Sequence, residues 1–596
     1  MKNIPLGGRR EYVMQLSHST AKVVKNMAWQ ALFILTAAQP ERKETFGFCS
    51  QKKKPIIEEM KPFEADLVAS VEWRENVSNE LQQKLKNDCR QTDTDKNVIV
   101  AADKSNNFYR MSPKKYDEFM TNHITTDYTQ ADIADFDNVT REDKRIAEDL
   151  GIAERVPITS KREAFSSLKD HKDDFQNNPK GRILNPCKPE LGKVSKQLLD
   201  PINVKLRKMT GLMQWKNSLS VIQWFSKLED KQSYSFIEYD ICDFYASISE
   251  QLLEDAFNWA SELIFIPERT KEIVFHVRKT FLFCKGQPYM KTCTPSFDVP
   301  MGAYDSAEVC DLVGLYLLTL IRHLPVVSGI YRDDALCLSN LSPSDTDDIK
   351  KQIQRIYSEQ GLKIKINANK KVTNFLDLTL DLQTGQYKTF RKENNTPIYV
   401  HAQSNHPPSV KQNIPLAVNR RLNILSSDEQ MFNQVVAPYQ VALDNAGYSH
   451  KLKYEKLDIH KMNKKPQKKN KKQRKRRIFW FNPPYDMAIK TKIGKKFLEI
   501  VDRCFPPGHV LRPYFNRHTV KLSYRTLSNM YTKISVHNHK VTKAYNDANK
   551  PPAPPRRRRG RPRRDEALQQ QLGQSRVFGR RWRRPVTETM LLLVVK

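Results

Sequence analysis

Apolar positions along this chain switch repeatedly between a period of two and a helical period, and each switch predicts an element. In Tyr234–Ile264 (YSFIEYDICDFYASISEQLLEDAFNWASELI) a β-rich run comes first. Leu253, Ala256, Phe257, Ala260 and Leu263 then recur at helical spacing, with Ser249 placed to cap the helix. Residues 1–95 read as an amphipathic helical extension, as in Phe63–Leu85 (FEADLVASVEWRENVSNELQQKL). Asn97–Met111 holds a β-rich run, VIVAA, closed by Asp103, Lys104 and a polar turn. Phe165–Asn203 reads as a strand, a long polar loop, a second strand (GRILN) and a helix. Met301–Leu324 is a Gly-opened turn and a buried helix. In Ser328–Leu338 (SGIYRDDALCL) two β-runs flank a polar pair, which predicts a hairpin. Gly361–Tyr387 gives further short strands. Ile414–Tyr448 gives two helices, with a capping box from Ser427 to Gln430, a kink at Pro438 and a stop at Gly447.

The pattern lapses at Lys464–Arg477 (KKPQKKNKKQRKRR), a solvated basic run, and returns over 478–547 as a small second folded unit. From Pro551 the stretch PPAPPRRRRGRPRR is of low complexity and expected to be disordered. There is no internal repeat. At 596 residues, the chain is too long for one small domain, and its 39% apolar content supports a folded core. Charge changes the picture more. The 100 Lys and Arg against 67 Asp and Glu give a formal net charge of +33. Self-repulsion of that size calls for a polyanion, nucleic acid first and an anionic membrane second. The opening MKNIPLGGRREYVMQL lacks the apolar core of a signal peptide, and the longest apolar run, Asp311–Ile321, is too short to span a bilayer. Nine Cys without a C-x-x-C indicate neither a disulfide framework nor a zinc finger, and point to reduced thiols in a cytosolic or nuclear protein.

The adjacent carboxylates of Asp333 and Asp334 need a reason. An Asp pair in a turn is ordinarily just solvated. Nucleotidyl transfer, however, uses two divalent ions about 4 Å apart, and Mg²⁺ takes only one or two protein carboxylates alongside substrate oxygens. Two carboxylates on neighbouring strand ends meet that need, and Asp240 closes the run SFIEYD as Asp333 tips the 328–338 hairpin.

The ordered series of motifs resembles reverse transcriptases. Tyr331-Arg332-Asp333-Asp334 matches Y-x-D-D, and Asp240-Ile241-Cys242-Asp243-Phe244-Tyr245 matches D-x-x-x-x-[FY] upstream. MGAYDSAEVC stands where the Gly-containing template-gripping motif falls, GLKIKINANKK follows the hairpin, and NFLDLTL is similar to the primer grip. KDHK with GRILNP is similar to the two fingers motifs. Asp103-Lys104, FLD and SNHPPSVKQNIPLAVNRRL most resemble Penelope-like retroelements, over roughly residues 97–455.

The resemblance implies an α+β right-hand polymerase and RNA-directed DNA synthesis from a retroelement. Its expected parts are a helical extension (1–95), fingers (96–230), palm (231–400), thumb (401–456), basic linker (457–477), connector unit (478–547) and basic tail (548–596). It also implies that Asp240 and Asp333 ligate two Mg²⁺, or Mn²⁺ as a substitute, with help from the Ile241 carbonyl, and that Asp334 supports them. Tyr245 would be the steric gate against a 2′-hydroxyl, or else a core aromatic. Lys172 and Arg182 would embrace the triphosphate of the dNTP. Gly302 would let the backbone approach the template pair. A Lys within Asn367–Lys371, Lys370 by choice, would protonate pyrophosphate. Phe375 and Leu376 would place the primer end, and Lys411, Arg420 and Arg421 would track the duplex backbone. The partners implied are an RNA template, a DNA primer or target and dNTPs, in the nucleus.

Three positions depart from the pattern: Arg332 at the x of Y-x-D-D, Met301 where Gln is common, and Ser105 after Asp103-Lys104. Gly329-Ile330-Tyr331 lies inside the hairpin without a following YIG, so a GIY-YIG nuclease is not expected, and the tail after 548 resembles nothing in that family. Two other readings stand beside the first: an RNA-dependent RNA polymerase on the same palm, and a decayed element product that only binds nucleic acid.

Overall fold

The computed structural model describes residues 8–35, 60, 62–75, 77–103, 105, 107–157, 161–170, 174–292, 297–392, 395–458, 478–527 and 529–549. Lys104, Lys172, most of the basic linker and the tail from Pro551 lie outside them. A five-stranded sheet organises the middle of the chain. Its order is Ile364–Lys370, Ser235–Ile241, Asp334–Ser339, Val327–Tyr331 and the short Met213–Gln214, with only the last pair parallel.

Alternation sorts this sheet into two faces. Ile237, Tyr239, Ile241, Ala335 and Cys337 join the main core, beneath helices Gly192–Thr210, Glu250–Leu263, Ser306–Leu320 and Pro343–Glu359. Phe236, Leu336 and Leu338 point the other way, into a cluster with Trp215, Phe225, Phe375 and Leu378. That cluster is roofed by a second, three-stranded sheet of Val372–Phe375, Leu378–Asp381 and Tyr387–Thr389. The fold is the α+β class expected. Ser249 caps its helix by accepting from the Leu252 amide, and Leu253, Ala256, Phe257 and Ala260 are buried; Leu263 is exposed.

Three smaller β-units accompany the sheet: Val98–Ala101 with Phe108–Met111, Phe165–Leu168 with Gly181–Leu184, and Tyr128–Gln130 with Gln287–Lys291 and Leu282–Cys284, the last two lying between sheet strands in the chain. After it comes helix Pro408–Ile424, then Glu429–Val435 and Ala437–Asn445. Three local expectations shift here. Asp428, not Ser427, is the N-cap, accepting from the Met431 amide. Pro438 does not kink one helix but sits in the first turn of a new one, where its missing N–H is harmless. Gly447, at φ 76, closes the last turn, its amide bonded to the Asp444 carbonyl.

The N-terminal segment and the segment from 478 fold together, which the sequence pattern did not suggest. Tyr12, Leu16, Val23 and Met27 of helix Arg9–Leu35 share one core with Phe63, Phe481, Phe497, Val501 and Phe515. The continuous helix expected over 63–85 is broken. Phe63–Ala69 ends against this core, Trp73 bridges to Ile489, and Asn79 caps a separate helix, Glu80–Thr94. The segment from 478 is therefore one half of a unit whose other half is N-terminal. Helix Met530–Ala548 then lies on strand Val98–Ala101, where the Asn538 amide accepts from the Ile99 N–H at 2.8 Å and donates to its carbonyl at 2.7 Å.

Candidate active site

Register brings the acidic residues together. Asp240 is the backbone partner of Asp334 on one side and of Lys365 on the other. Directly opposed residues of antiparallel strands share a face, so these three side chains leave the sheet in the same direction. Tyr331 pairs with Asp334, which leaves Arg332 and Asp333 as a two-residue hairpin loop. The Asp333 carbonyl accepts from the Ile241 amide at 2.9 Å, so the loop is stitched to the end of the Asp240 strand. Asp240, Ile241, Asp334 and the Asp333 backbone thus meet at one end of the sheet's central strands. Like charges directly opposed cost about 0.2–1 kcal/mol, and Lys365 on the far side of Asp240 offsets part of that.

The loop is strained. Arg332 has φ 56, a left-handed conformation that costs a non-Gly residue about 1–2 kcal/mol. Its guanidinium carbon lies 5.6 Å from the centre of the Tyr331 ring and the group also interacts with the Tyr245 hydroxyl. Tyr245 arrives there because Asp243, at φ 46, turns the chain from the Asp240 strand into the one-turn helix Phe244–Ser247. Burial pushes the Tyr245 phenol up to about 12; Cys310 and Asp333 push the same way, against Arg332. Tyr245 is therefore a neutral, half-buried ring at the hairpin tip. Beneath it, burial raises the Asp311 carboxyl above its usual range, opposed by Arg207, 3.5 Å away, and by Arg332.

Two hairpin tips meet on the Trp215 cluster. Tyr331 and Leu376 both pack against it. Leu376, at φ 54, tips the turn between Val372–Phe375 and Leu378–Asp381, and Phe375 is buried edge-on to Trp215, ring centres 5.2 Å apart. Asp377 beside it takes Arg421 at 2.8 Å, so Arg421 ties the turn to helix Pro408–Ile424. Arg420 on that helix is exposed. Lys411 is half-buried, donates to the Ser404 carbonyl at 3.3 Å, and has its pKa lowered by burial.

Other expected residues stand apart. Arg182, on Gly181–Leu184, pairs with Asp103 at 3.0 Å; Lys172, its expected companion, lies outside the described residues. Gly302 has φ 88, so its turn requires a glycine, and the Lys188 ammonium is the atom an added Cβ would meet, at 3.9 Å. Lys370 needs correction. Its backbone partner is Phe236, four residues from Asp240, or about 14 Å along the strand. Its ammonium is held by Glu238. Burial pushes Glu238 up, but hydrogen bonds from Lys370, Thr373 and Asn367 outweigh it and hold the carboxyl below its usual range. Lys365 is the exposed lysine in register with Asp240, and the alternation of LKIKIN was the signal for it.

The paired carboxylates of Asp240 and Asp334 are donors of the kind Mg²⁺ accepts. Among the described residues no group of three His, Cys, Asp or Glu is placed to hold a metal ion. Mg²⁺ does not require one, since it takes one or two carboxylates and completes its shell with water and substrate oxygens. No described helix is long and apolar enough to cross a membrane.

No protein-family model matches the chain, and no curated protein matches it. Among solved structures it is similar to apo telomerase from Candida tropicalis truncated from the C-terminal domain, with a TM-score of 0.35, 11% identity, and coverage of 49% of this chain and 63% of that one. It is similar to telomerase from Candida albicans in complex with a telomeric RNA fragment, at 0.40 and 11%, over 63% of this chain and 66% of that one. The RNA-dependent RNA polymerase of a human picobirnavirus aligns at 0.33 and 11%, over 65% and 87%. The chain spans just under two thirds of the first two. The sheet with its carboxylate hairpin, the smaller β-units and the flanking helices form an α+β arrangement, the class expected from the sequence.

Proposed function

We propose that the protein is a template-directed nucleotidyltransferase, and within that class an RNA-directed DNA polymerase of retroelement origin, Penelope-like in its motifs and working in the nucleus. One observation carries this reading: Asp240 and Asp334 lie in register on central strands, with the Asp333 loop bonded to the end of the Asp240 strand. Asp240 and Asp333 would hold two Mg²⁺, which supply charge stabilisation of the attacking oxygen and of the triphosphate. Arg182 would contact the triphosphate by exchanging part of its pairing with Asp103. Tyr245 would lie under the sugar and exclude a 2′-hydroxyl. Lys365 would deliver a proton to departing pyrophosphate, while Phe375 and Leu376 would seat the primer end and Arg420 the duplex backbone.

The test is primer extension on poly(rA)/oligo(dT) with Mg²⁺. The wild type should add dTMP and Asp333→Ala should not. Binding without extension would select the binding-only reading, and equal use of UTP and dTTP would select an RNA polymerase.

A further inference from the structure

The parallel strands Phe479–Phe481 and Val520–Leu522 place Phe479 opposite Val520, Trp480 opposite Lys521, and Phe481 opposite Leu522. Neighbours alternate in direction and partners share a face. Phe479, Phe481 and Val520 face the terminal-unit core, with Phe481 stacked on Phe497 at 3.9 Å. Leu522 packs on the same side against Gly494, where an added Cβ would meet its methyl at 2.4 Å. The opposite face presents Trp480, 55% exposed, beside the exposed Lys521.

Charge says what would cover that face. Residues 478–545 carry twelve Lys and Arg against three Asp and Glu. The acids are already engaged: Glu499 with Lys495 and Lys496, Asp502 with Arg512 and Arg517, and Asp486 buried. A flat ring next to an ammonium, on a cationic unit, fits a polyanion that carries flat groups of its own. Single-stranded nucleic acid is that polymer, since stacking is available only to unpaired bases. A membrane surface fits less well, because it needs a broad apolar face and the apolar face of this ribbon is already in the core. The unit is also anchored to the catalytic body, through Asn538 on Ile99 and through the Met487 amide, which donates to Asn405 at 2.8 Å.

We propose that the Trp480–Lys521 face docks single-stranded RNA template, with Trp480 stacking on a base and Lys521 taking a phosphate. The identity of the strand rests on the polymerase reading: the primer is paired along its length, whereas template ahead of the growing end is not.

The test uses the full chain without nucleotides, so that binding is read apart from catalysis. A 20-mer oligouridylate with 5-iodouracil is photocrosslinked and its affinity measured by anisotropy. The crosslink should fall in the peptide that contains Trp480. Trp480→Ala should abolish it and weaken binding about 5- to 150-fold, the equivalent of about 1–3 kcal/mol per stacked base. Trp480→Phe should restore most of the loss. Lys521→Gln should reduce the salt slope by about 0.7. Binding of a 20-bp RNA duplex should be unchanged in both. The proposal is overturned by a crosslink elsewhere with affinity unchanged in Trp480→Ala, by an equal loss on duplex, by tighter Trp480-dependent binding of a DNA 20-mer, or by Trp480-dependent binding to anionic vesicles instead. A wild type that crosslinks at Trp480 but fails to extend any primer would refute the polymerase reading and leave this site standing.

Discussion

Gly329 is the most exacting small residue in the hairpin. It has no positive φ, so the reason for glycine there is space and not backbone conformation. A Cβ would lie 2.4, 2.6 and 2.8 Å from three carbons of the Trp215 indole, against ordinary carbon contacts of about 3.5–4.0 Å. Something must move by about 1 Å. The indole cannot easily be the part that moves. It is 6% exposed, with Trp224 and Phe375 each 5.2 Å from it, and its backbone amide is bonded to the Ile330 carbonyl at 2.8 Å. The strand carrying Asp333 must therefore shift. Gly329→Ala should destabilise by about 1–3 kcal/mol, the usual range for overpacking. The accompanying shift of the carboxylate edge should slow extension by about 10²-fold. Urea unfolding and single-nucleotide extension measure the two effects. The double variant Gly329→Ala/Trp215→Leu makes room and should recover much of the rate. If Gly329→Ala unfolds and extends like the wild type, the clash argument is wrong.

Lys365→Ala should slow single-turnover incorporation by about 10²-fold with the fold intact, as expected for loss of a general acid. Lys370→Ala should leave the rate nearly unchanged but lower stability by about 1–3 kcal/mol, because it strips a half-buried Glu238 of its main donor; the reverse pattern would restore Lys370 to the chemistry. Because Glu238 is held below its ordinary value of 4.5, it should contribute stability that is complete above that pH and lost as pH falls through its folded-state pKa. Thermal unfolding from pH 7 to 3 should therefore show a shallower acid decline in Glu238→Gln, and identical slopes would contradict the assignment. Tyr245→Ala should admit rNTPs; competition between UTP and dTTP reads this directly, and an unchanged preference would return Tyr245 to the core.

What could be read from the sequence was whatever depends on neighbours along the chain. The hairpin at 328–338 followed from alternation and the Ser249 cap from side-chain chemistry, whereas the pairing of the Asp240 strand with that hairpin was implied by the order of the motifs and not by local pattern. Lys370 was chosen, and Lys365 passed over, because register is a tertiary property. Lys370 lies five residues beyond Lys365 along its strand, and the bulge between Asn367 and Lys370, with Asn369 at φ 59, sets it opposite Phe236 and against Glu238. Gly329 and Trp215 are far apart in sequence and meet only through a parallel strand pair. The break after Ala69 is likewise imposed from a distance, by Ile489 on Trp73.

The core shared by the N-terminal segment and the segment from 478 bears on how the protein is made. The Arg525 guanidinium donates to the Gln15 carbonyl across 510 residues. At about 5–20 residues per second, the first helix leaves the ribosome roughly 25–100 s before its partners exist. Through that interval Tyr12, Leu16 and Met27 lack the apolar partners that bury them in the finished fold. A messenger cut short before codon 478 would leave those residues bare permanently, and its product should be cleared or aggregate.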